Sequence, residues 1–465
     1  MAHPCQSEAE HLAMLRDAIA FYNNLLDDQS AVEAQATLNA QMRARRLFFG
    51  ERAVCNVLRP HFYQPQQWEY LRSETETLLL AFAKAHHACL QDAELRAQLD
   101  LEPYEEALFT LEIGYTAPWN TSRLDSFYDP DAGRLKFVEY NAETPAGMGY
   151  VDQTAESFLA LEVMRRFQQH YTVRSFTLVR SLLATLLEAY RQWSGKDRPA
   201  RPQIAIADWQ DVQTLNEHQI IRDYMAEAGL EAILCDPRAM ELREGSLYVG
   251  DFRVDLIYKR VLASELIQRM GMDNPIVQAL RQRAVCMCNA FSAKLMAKKA
   301  SFALLSDEQN AHLFTPAERA AIEAHIPWTR RVSERHTHFH GQPIDLVPFI
   351  AENKERLVLK PNDEYGGKGV TIGWEATDAE WSATLRQALR DSYVVQERVE
   401  AAFEDYPTLV DGKLHIARRL VDADPYIFHG KTVSGGLTRL SAAALLNVTA
   451  GGGSITPTFI IEKRA

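Results

Sequence analysis

A strand that delivers a lysine into a glycine-rich turn is a device for holding phosphate. In LVLKPNDEYGGKGVTIG, residues 357–373, an apolar run carries Lys360, and Gly366, Gly367, Lys368 and Gly369 follow before a second apolar run opens at Val370. Glycines let a backbone approach a ligand closely and turn N–H groups towards phosphate oxygens. The lysine adds a compact positive charge. The helix-capped phosphate loop GxxxxGK[ST] is absent, and the run after the glycines reads as a strand, so a β-hairpin flap is expected. An ordinary glycine hairpin with a surface lysine fits the segment equally well. Further on, YVVQERVE (393–400) reads as an edge strand ending in Gln396 and Glu397. These could read an adenine edge or ribose, or be the solvated end of a strand.

A second constellation lies far upstream, in RLDSFYD (123–129) and FVEYNAETP (137–145), joined by the turn DPDAG. Side chains alternate along a strand, so Glu139 and Asn141 share a face, and the turn can bring Asp125 alongside. Three oxygen donors on adjacent strands suit magnesium, which takes few protein ligands and completes its shell with water and phosphate. Arg123 shares a face with Asp125 and could hold a transferring phosphoryl or acyl oxygen. The other reading is the polar face of an exposed hairpin. Near the end of the chain, GGLTRLS and NVTAGGGS supply Arg439, Asn447 and the triplet Gly451 to Gly453. Arg439 is read as a contact to phosphate or acyl phosphate and the triplet as a close backbone approach, with a hairpin and flexible turn of equal weight.

Three other clusters count for less. His336, His338 and His340 alternate and would share one face of a strand, but an exposed loop near a substrate entrance is favoured over a metal site. Cys286 and Cys288 fall in a segment read as helical, so they point apart and make no zinc site. Trp119 and Trp328 are read as core or pocket wall.

The elements that must position these groups follow from periodicity. The first hundred residues repeat apolar residues at helical spacing. From Leu108 the texture reads as β-rich through LFTLEIGYTAPW and the DPDAG hairpin, and a helical zone follows to SGKDRPARP. Residues 203–260 alternate strand and helix, as in QIAIADW, TLNEHQIIRDYMAEAGL and EAILCDP, which predicts a small parallel Rossmann-like sheet. A helical zone then runs to about 325. The remainder is α+β, ending in antiparallel strands around glycine turns. The chain of 465 residues is 47% hydrophobic and 24% charged, with a net charge of −12 and six cysteines. That balance argues against nonspecific nucleic-acid or anionic-membrane binding and against a disulfide framework. The start MAHPCQSEAEHL has no signal-peptide pattern, and no apolar run spans a membrane, so a cytoplasmic enzyme is expected.

Taken in order, RxD…ExNxxTP, DLIYKR, CNAF…KKASFALL, LKPNDEYGGKGV and VVQERV resemble the circularly permuted (type 2), glutathionylspermidine synthase-like ATP-grasp family. The resemblance covers about residues 105–465. It implies a mixed α+β and α/β chain: a circularly permuted ATP-grasp fold with a Rossmann-like pre-grasp subdomain and a helical N-terminal region. The implied parts are a helical region 1–105, a metal-ligand part of the core at 106–200, a Rossmann-like substrate subdomain at 201–300 and a nucleotide-binding part with the flap at 301–465. It also implies ATP and Mg2+ as cofactors, with Asp125, Glu139 and Asn141 as magnesium ligands. Lys299 and Lys360 become nucleotide lysines, and Lys259 a further phosphate contact. Gly366, Gly367, Lys368 and Gly369 become the mobile loop, Gln396 and Glu397 the adenine hinge, and Arg123 a basic residue facing the reacting phosphate. Cys5 and Cys55 stand in helical surroundings without a motif, so an amidase like that of the two-domain glutathionylspermidine synthases is not expected. The loop PNDEYGGKGV lacks the arginine of their loop, so glutathione and spermidine are not implied as substrates. The expected activity is an ADP-forming C–N ligase that joins a small-molecule or peptide carboxylate to an amine through an acyl phosphate. A phosphotransferase or an inactive nucleotide-binding protein are the alternatives.

Overall fold

The computed structural model describes residues 8–195, 198–442 and 453–464. Asn447, Gly451 and Gly452 lie outside the described residues.

The N-terminal region is built on the helices Glu8–Asn24, Asp28–Ala44 and Pro65–Gln91. The second buries Ala31, Ala34, Leu38 and Met42, a stripe at three- and four-residue spacing that turns one face to the core. A short strand, His61–Tyr63, pairs with Thr458–Lys463, which also pairs with Tyr171–Arg174, so the two ends of the described chain are sewn together. The β-rich reading of LFTLEIGYTAPW is corrected. Leu108 closes a helix, Pro103–Leu108, and no strand begins between Leu108 and Thr121. Gly114 turns the chain at φ +73, which breaks the extended run; Leu108 is buried at the helix end and Trp119 in the irregular backbone that follows.

The strands that carry chemistry are β1 (Thr121–Asp129), β2 (Arg134–Asn141), β3 (Ile204–Ala207), β4 (Ala232–Cys235), β5 (Leu256–Lys259), β6 (Cys286–Cys288) and β7 (Thr329–Arg331). They continue with β8 (Leu357–Pro361), β9 (Thr371–Ile372), β10 (Tyr393–Glu397), β11 (Ala402–Val410), β12 (Lys413–Val421), β13 (Asp424–Phe428) and β14 (Thr432–Ser441). Among the described residues three sheets matter. One is antiparallel, in the order β11-β12-β14-β13-β1-β2, with Gly453–Thr456 added beside β14. The early acidic hairpin and the last strands of the chain therefore share one sheet, joined where β13 pairs with β1.

The second sheet, β6-β5-β3-β4, is wholly parallel, and the helix Leu215–Glu227 crosses from β3 to β4. This is the small Rossmann-like sheet expected from the βαβ rhythm. Cys286 and Cys288 are not helical. They occupy β6, in register with Leu256 and Tyr258, so both point to one buried face. A short apolar run does not distinguish a buried strand from a helix by periodicity, and here the neighbouring strand decided it.

The third sheet has the order β7-β10-β8-β9. β8 and β9 form the expected hairpin, with Val358 opposite Ile372, and Gly366, Gly367 and Gly369 take φ of +64, +75 and +70 in the turn between them. A side chain on Gly369 would also strike the Pro361 ring. β10 is interior rather than an edge strand, because β7 and β8 pair along its two sides. Trp328 and Trp119 are buried in the core.

Candidate active site

The two distant constellations meet. A cavity of about 570 Å³ is lined by Asp125 of β1, Glu139 of β2, Lys299, Lys360 of β8, Gly366 and Gly367 of the flap, Gln396 and Glu397 of β10, and Arg439 of β14. Asn362 explains how Lys299 and Lys360 come together. Two residues after Lys360, its backbone C=O accepts from Lys299 N–H (3.0 Å) and its side-chain Oδ1 accepts from Ala300 N–H (2.8 Å). The start of the helix Ala300–Ser306 is thereby fixed against the end of β8. Lys299 Nζ lies 2.8 Å from Glu139 Oε1, which joins the lysine side of the cavity to the acidic hairpin. Lys360 Nζ donates to Gln396 Oε1 (2.6 Å) and to the C=O of Val138 (3.3 Å). Burial lowers the Lys360 ammonium to about 8, although Glu139 works to hold its proton on.

Asp125 faces Glu139 across the β1–β2 ladder, and Asn141 Nδ2 donates to Asp125 Oδ1 at 2.9 Å. Arg123 Nε and Nη2 clamp the two oxygens of Asp125 at 2.7 and 3.0 Å, and Arg439 Nη2 adds a third contact at 2.7 Å. Burial acts to raise this carboxyl, but Arg123 and Arg439 outweigh it and hold the group at about 2. Two further acids are gathered here. Asp422 accepts from Arg439 Nε (2.6 Å), and Asp424 Oδ2 lies 2.9 Å from Arg439 Nη2 without hydrogen-bond geometry. Three buried carboxylates thus surround two guanidiniums. Burial drives the Asp424 carboxyl well up, since the arginines are shared among three acids. Asp422 and Asp424 were not singled out in the sequence, although the pair spaced by one residue within LVDADPYIF is a signal, since an exposed strand would not be so apolar around them.

Other residues named from the sequence stand apart from the cavity. Lys259 is buried at the end of β5 and ion-paired with Glu143 at 3.0 Å. Lys368 is exposed on the flap and paired with Glu364. Arg123 and Asn141 back the cavity through Asp125 rather than lining it. Gln396 lines it, but its side chain is committed at both ends, to Lys360 and, through Nε2, to Thr329 Oγ1 at 3.1 Å. In this arrangement it holds Lys360. The N–H groups of Glu397 and Arg398 donate to the C=O of Trp328 and Arg356. His336 and His338 share an exposed face of one strand, but His338 pairs with Glu308 and His340 with Glu397. Among the described residues no group of three or more His, Cys, Asp or Glu side chains is arranged to hold a metal.

A lysine pair, a glycine hairpin and an acidic strand pair thus line one cavity. The model of the circularly permuted ATP-grasp type 2 family fits residues 124–441. The chain belongs to this family. An uncharacterized protein of Mycobacterium tuberculosis is 24% identical over 72% of the chain and 59% of its own length. The chain thus spans less than two thirds of the mycobacterial relatives it matches. A Frankia casuarinae protein provisionally named glutamate–cysteine ligase is 26% identical over 51% of the chain and 27% of its own length. Among solved structures, a glutathione synthetase-like effector from Globodera pallida, in apo form, superposes with a TM-score of 0.60 at 12% identity, covering 94% of this chain and 99% of that one. This likeness of fold runs over nearly the whole chain. No helix among the described residues is long and apolar enough to cross a membrane.

Proposed function

We propose that this ATP-grasp ligase spends ATP to join a carboxylate to an amine, releasing ADP and phosphate. The observation that carries the proposal is the 2.8 Å approach of Lys299 to Glu139 inside one cavity, which unites the lysine–glycine hairpin with the acidic strands. A volume of this size suits a nucleotide. The base would lie among Val358, Ile372 and Leu420, with the triphosphate running under Gly366 and Gly367 towards Lys299 and Lys360. The four-part division at 1–105, 106–200, 201–300 and 301–465 belongs to this proposal.

Asp125 and Glu139 fit magnesium in chemistry, because both line the cavity with hard carboxylate oxygens beside the lysines. Asn141, behind Asp125, would have to give up its hydrogen bond to Asp125 Oδ1 to present its amide oxygen. Held there, magnesium would neutralise charge on the phosphates. The chain's own residues do the rest by position and charge. Lys299 and Lys360 offset the phosphate oxygens, and the flap excludes water. The substrate carboxylate oxygen attacks the γ-phosphorus and ADP leaves. The amine then attacks the acyl carbon, loses a proton, and phosphate departs. Arg439, poised at the cavity wall, would bind the acyl phosphate oxygens once freed from Asp125.

Two outcomes test this reading. ADP release should require a carboxylate, and hydroxylamine should trap a hydroxamate; ADP release indifferent to every acid offered, with no hydroxamate, argues against it. Lys360 also sets a pH dependence. It is charged below about 8 and neutral above, so ADP affinity should fall as pH rises through that value, by at most about tenfold per unit, the limit for one proton. The folding linkage has the opposite sign: the lysine binds its proton less readily when folded, so stability rises with pH over the same range. Calorimetric ADP titrations across pH should show the fall, and Lys360→Met should flatten it.

A further inference from the structure

Outside the cavity lies a buried charge network that the proposed reaction does not use. Glu143, two residues beyond Asn141, accepts from Lys259 Nζ (3.0 Å) and Ala263 N–H (2.6 Å) through Oε1, and from Lys294 Nζ (3.0 Å) through Oε2. Lys294 Nζ also donates to Asp363 Oδ1 at 2.5 Å. Lys298 lies 3.7 Å from Asp363 Oδ2 and 2.7 Å from Glu105. Three ammonium groups and three carboxylates balance, and every member except Asp363 is buried.

A buried ion network is weak evidence of stabilisation, because apolar residues of similar volume do as well or better. Its position suggests another role. Asp363 is the last residue before the flap. Its predecessor Asn362 is fixed by Ala300 and by the C=O of Leu99 (2.9 Å), whereas Tyr365, two residues on, is 60% exposed and Gly366 and Gly367 follow. Glu143 lies two residues beyond the end of β2, the strand that carries Glu139, and Lys259 and Ala263 belong to the Rossmann-like sheet and the helix after it.

We propose that Glu143, Lys294 and Asp363 form a latch that sets the root of the glycine flap relative to the acidic strand β2 and the Rossmann-like sheet. Glu143 and Lys294 are positioning residues. They touch neither the cavity nor the phosphates, and they fix how far the flap stands from Glu139. The consequence for catalysis rests on the ligase reading above, but the latch itself can be tested without nucleotide.

Trypsin supplies the test, because Lys368 on the flap has a side chain 75% exposed. In the nucleotide-free protein, Lys294→Met and Asp363→Asn should each raise the rate of cleavage after Lys368 by about tenfold, since cleavage follows the population of the open segment. The double variant should add little to either, because the two act through one contact. Cleavage at other sites should not change in Asp363→Asn, whose partly exposed carboxyl makes it the variant that keeps the fold if Lys294→Met does not. Wild-type cleavage at Lys368 in a folded Asp363→Asn, or acceleration at all sites equally, overturns the latch. A parallel arm with ADP and magnesium separates the two proposals. If nucleotide gives the wild type no protection at Lys368, the ligase reading suffers, while the nucleotide-free rates still decide the latch.

Discussion

Glu139→Ala should abolish ATP-dependent turnover, lowering it by about a thousandfold, while leaving the protein folded. Glu139 has a side chain 30% exposed, and its contact with Lys299 bridges the two halves of the cavity. Removing it strips an oxygen donor from the proposed magnesium set and leaves Lys299 without its partner on β2, so charge on the phosphates is neutralised less well when it matters most. The stability cost should stay below that of breaking a fully buried pair, about 3–5 kcal/mol, because Glu139 is 30% exposed and Lys299 Nζ keeps the C=O of Glu364 as a partner at 2.6 Å. Thermal unfolding and ADP-release assays on the same preparation separate the two effects. A folded Glu139→Ala that keeps wild-type turnover would place the acidic strands outside the chemistry.

Asp125→Ala should cost both stability and activity. Asp125 is buried and clamped by Arg123 and Arg439. Deleting it leaves two buried guanidiniums facing Asp422 and Asp424 with less compensation, and breaking such a pair costs about 3–5 kcal/mol. The sign in pH follows from its lowered pKa. The stability contributed by the ionised carboxyl is present at neutral pH and is lost only as pH falls towards about 2. The wild-type protein should therefore lose more stability than Asp125→Ala on acidification, and denaturant titrations at neutral and acid pH should show the gap narrowing. A gap independent of pH would contradict the clamped-carboxylate account.

How much of this could be read in the sequence differs from residue to residue. Alternation placed Glu139 beside Asn141, and the DPDAG turn placed Asp125 opposite, because a hairpin's pleat and register follow from local rules. The glycine flap was legible for the same reason: positive φ at Gly366, Gly367 and Gly369 is a local demand. β10 was misjudged as an edge because nothing in YVVQERVE reveals that β7 and β8 pair on both of its sides. Cys286 and Cys288 were misplaced on a helix because their strand character comes from β5. Asn362, Glu143 and Lys294 were missed because each acts across long separations, and a lone polar residue in a loop carries no local mark of its partner.

The most direct measurement is a crystal structure with ADP and magnesium. The account predicts the phosphates between Lys299 and Lys360 beneath Gly366 and Gly367, with the base against Val358 and Leu420. Nucleotide bound elsewhere, or no nucleotide at saturating concentration in a crystal whose cavity is open, would contradict it.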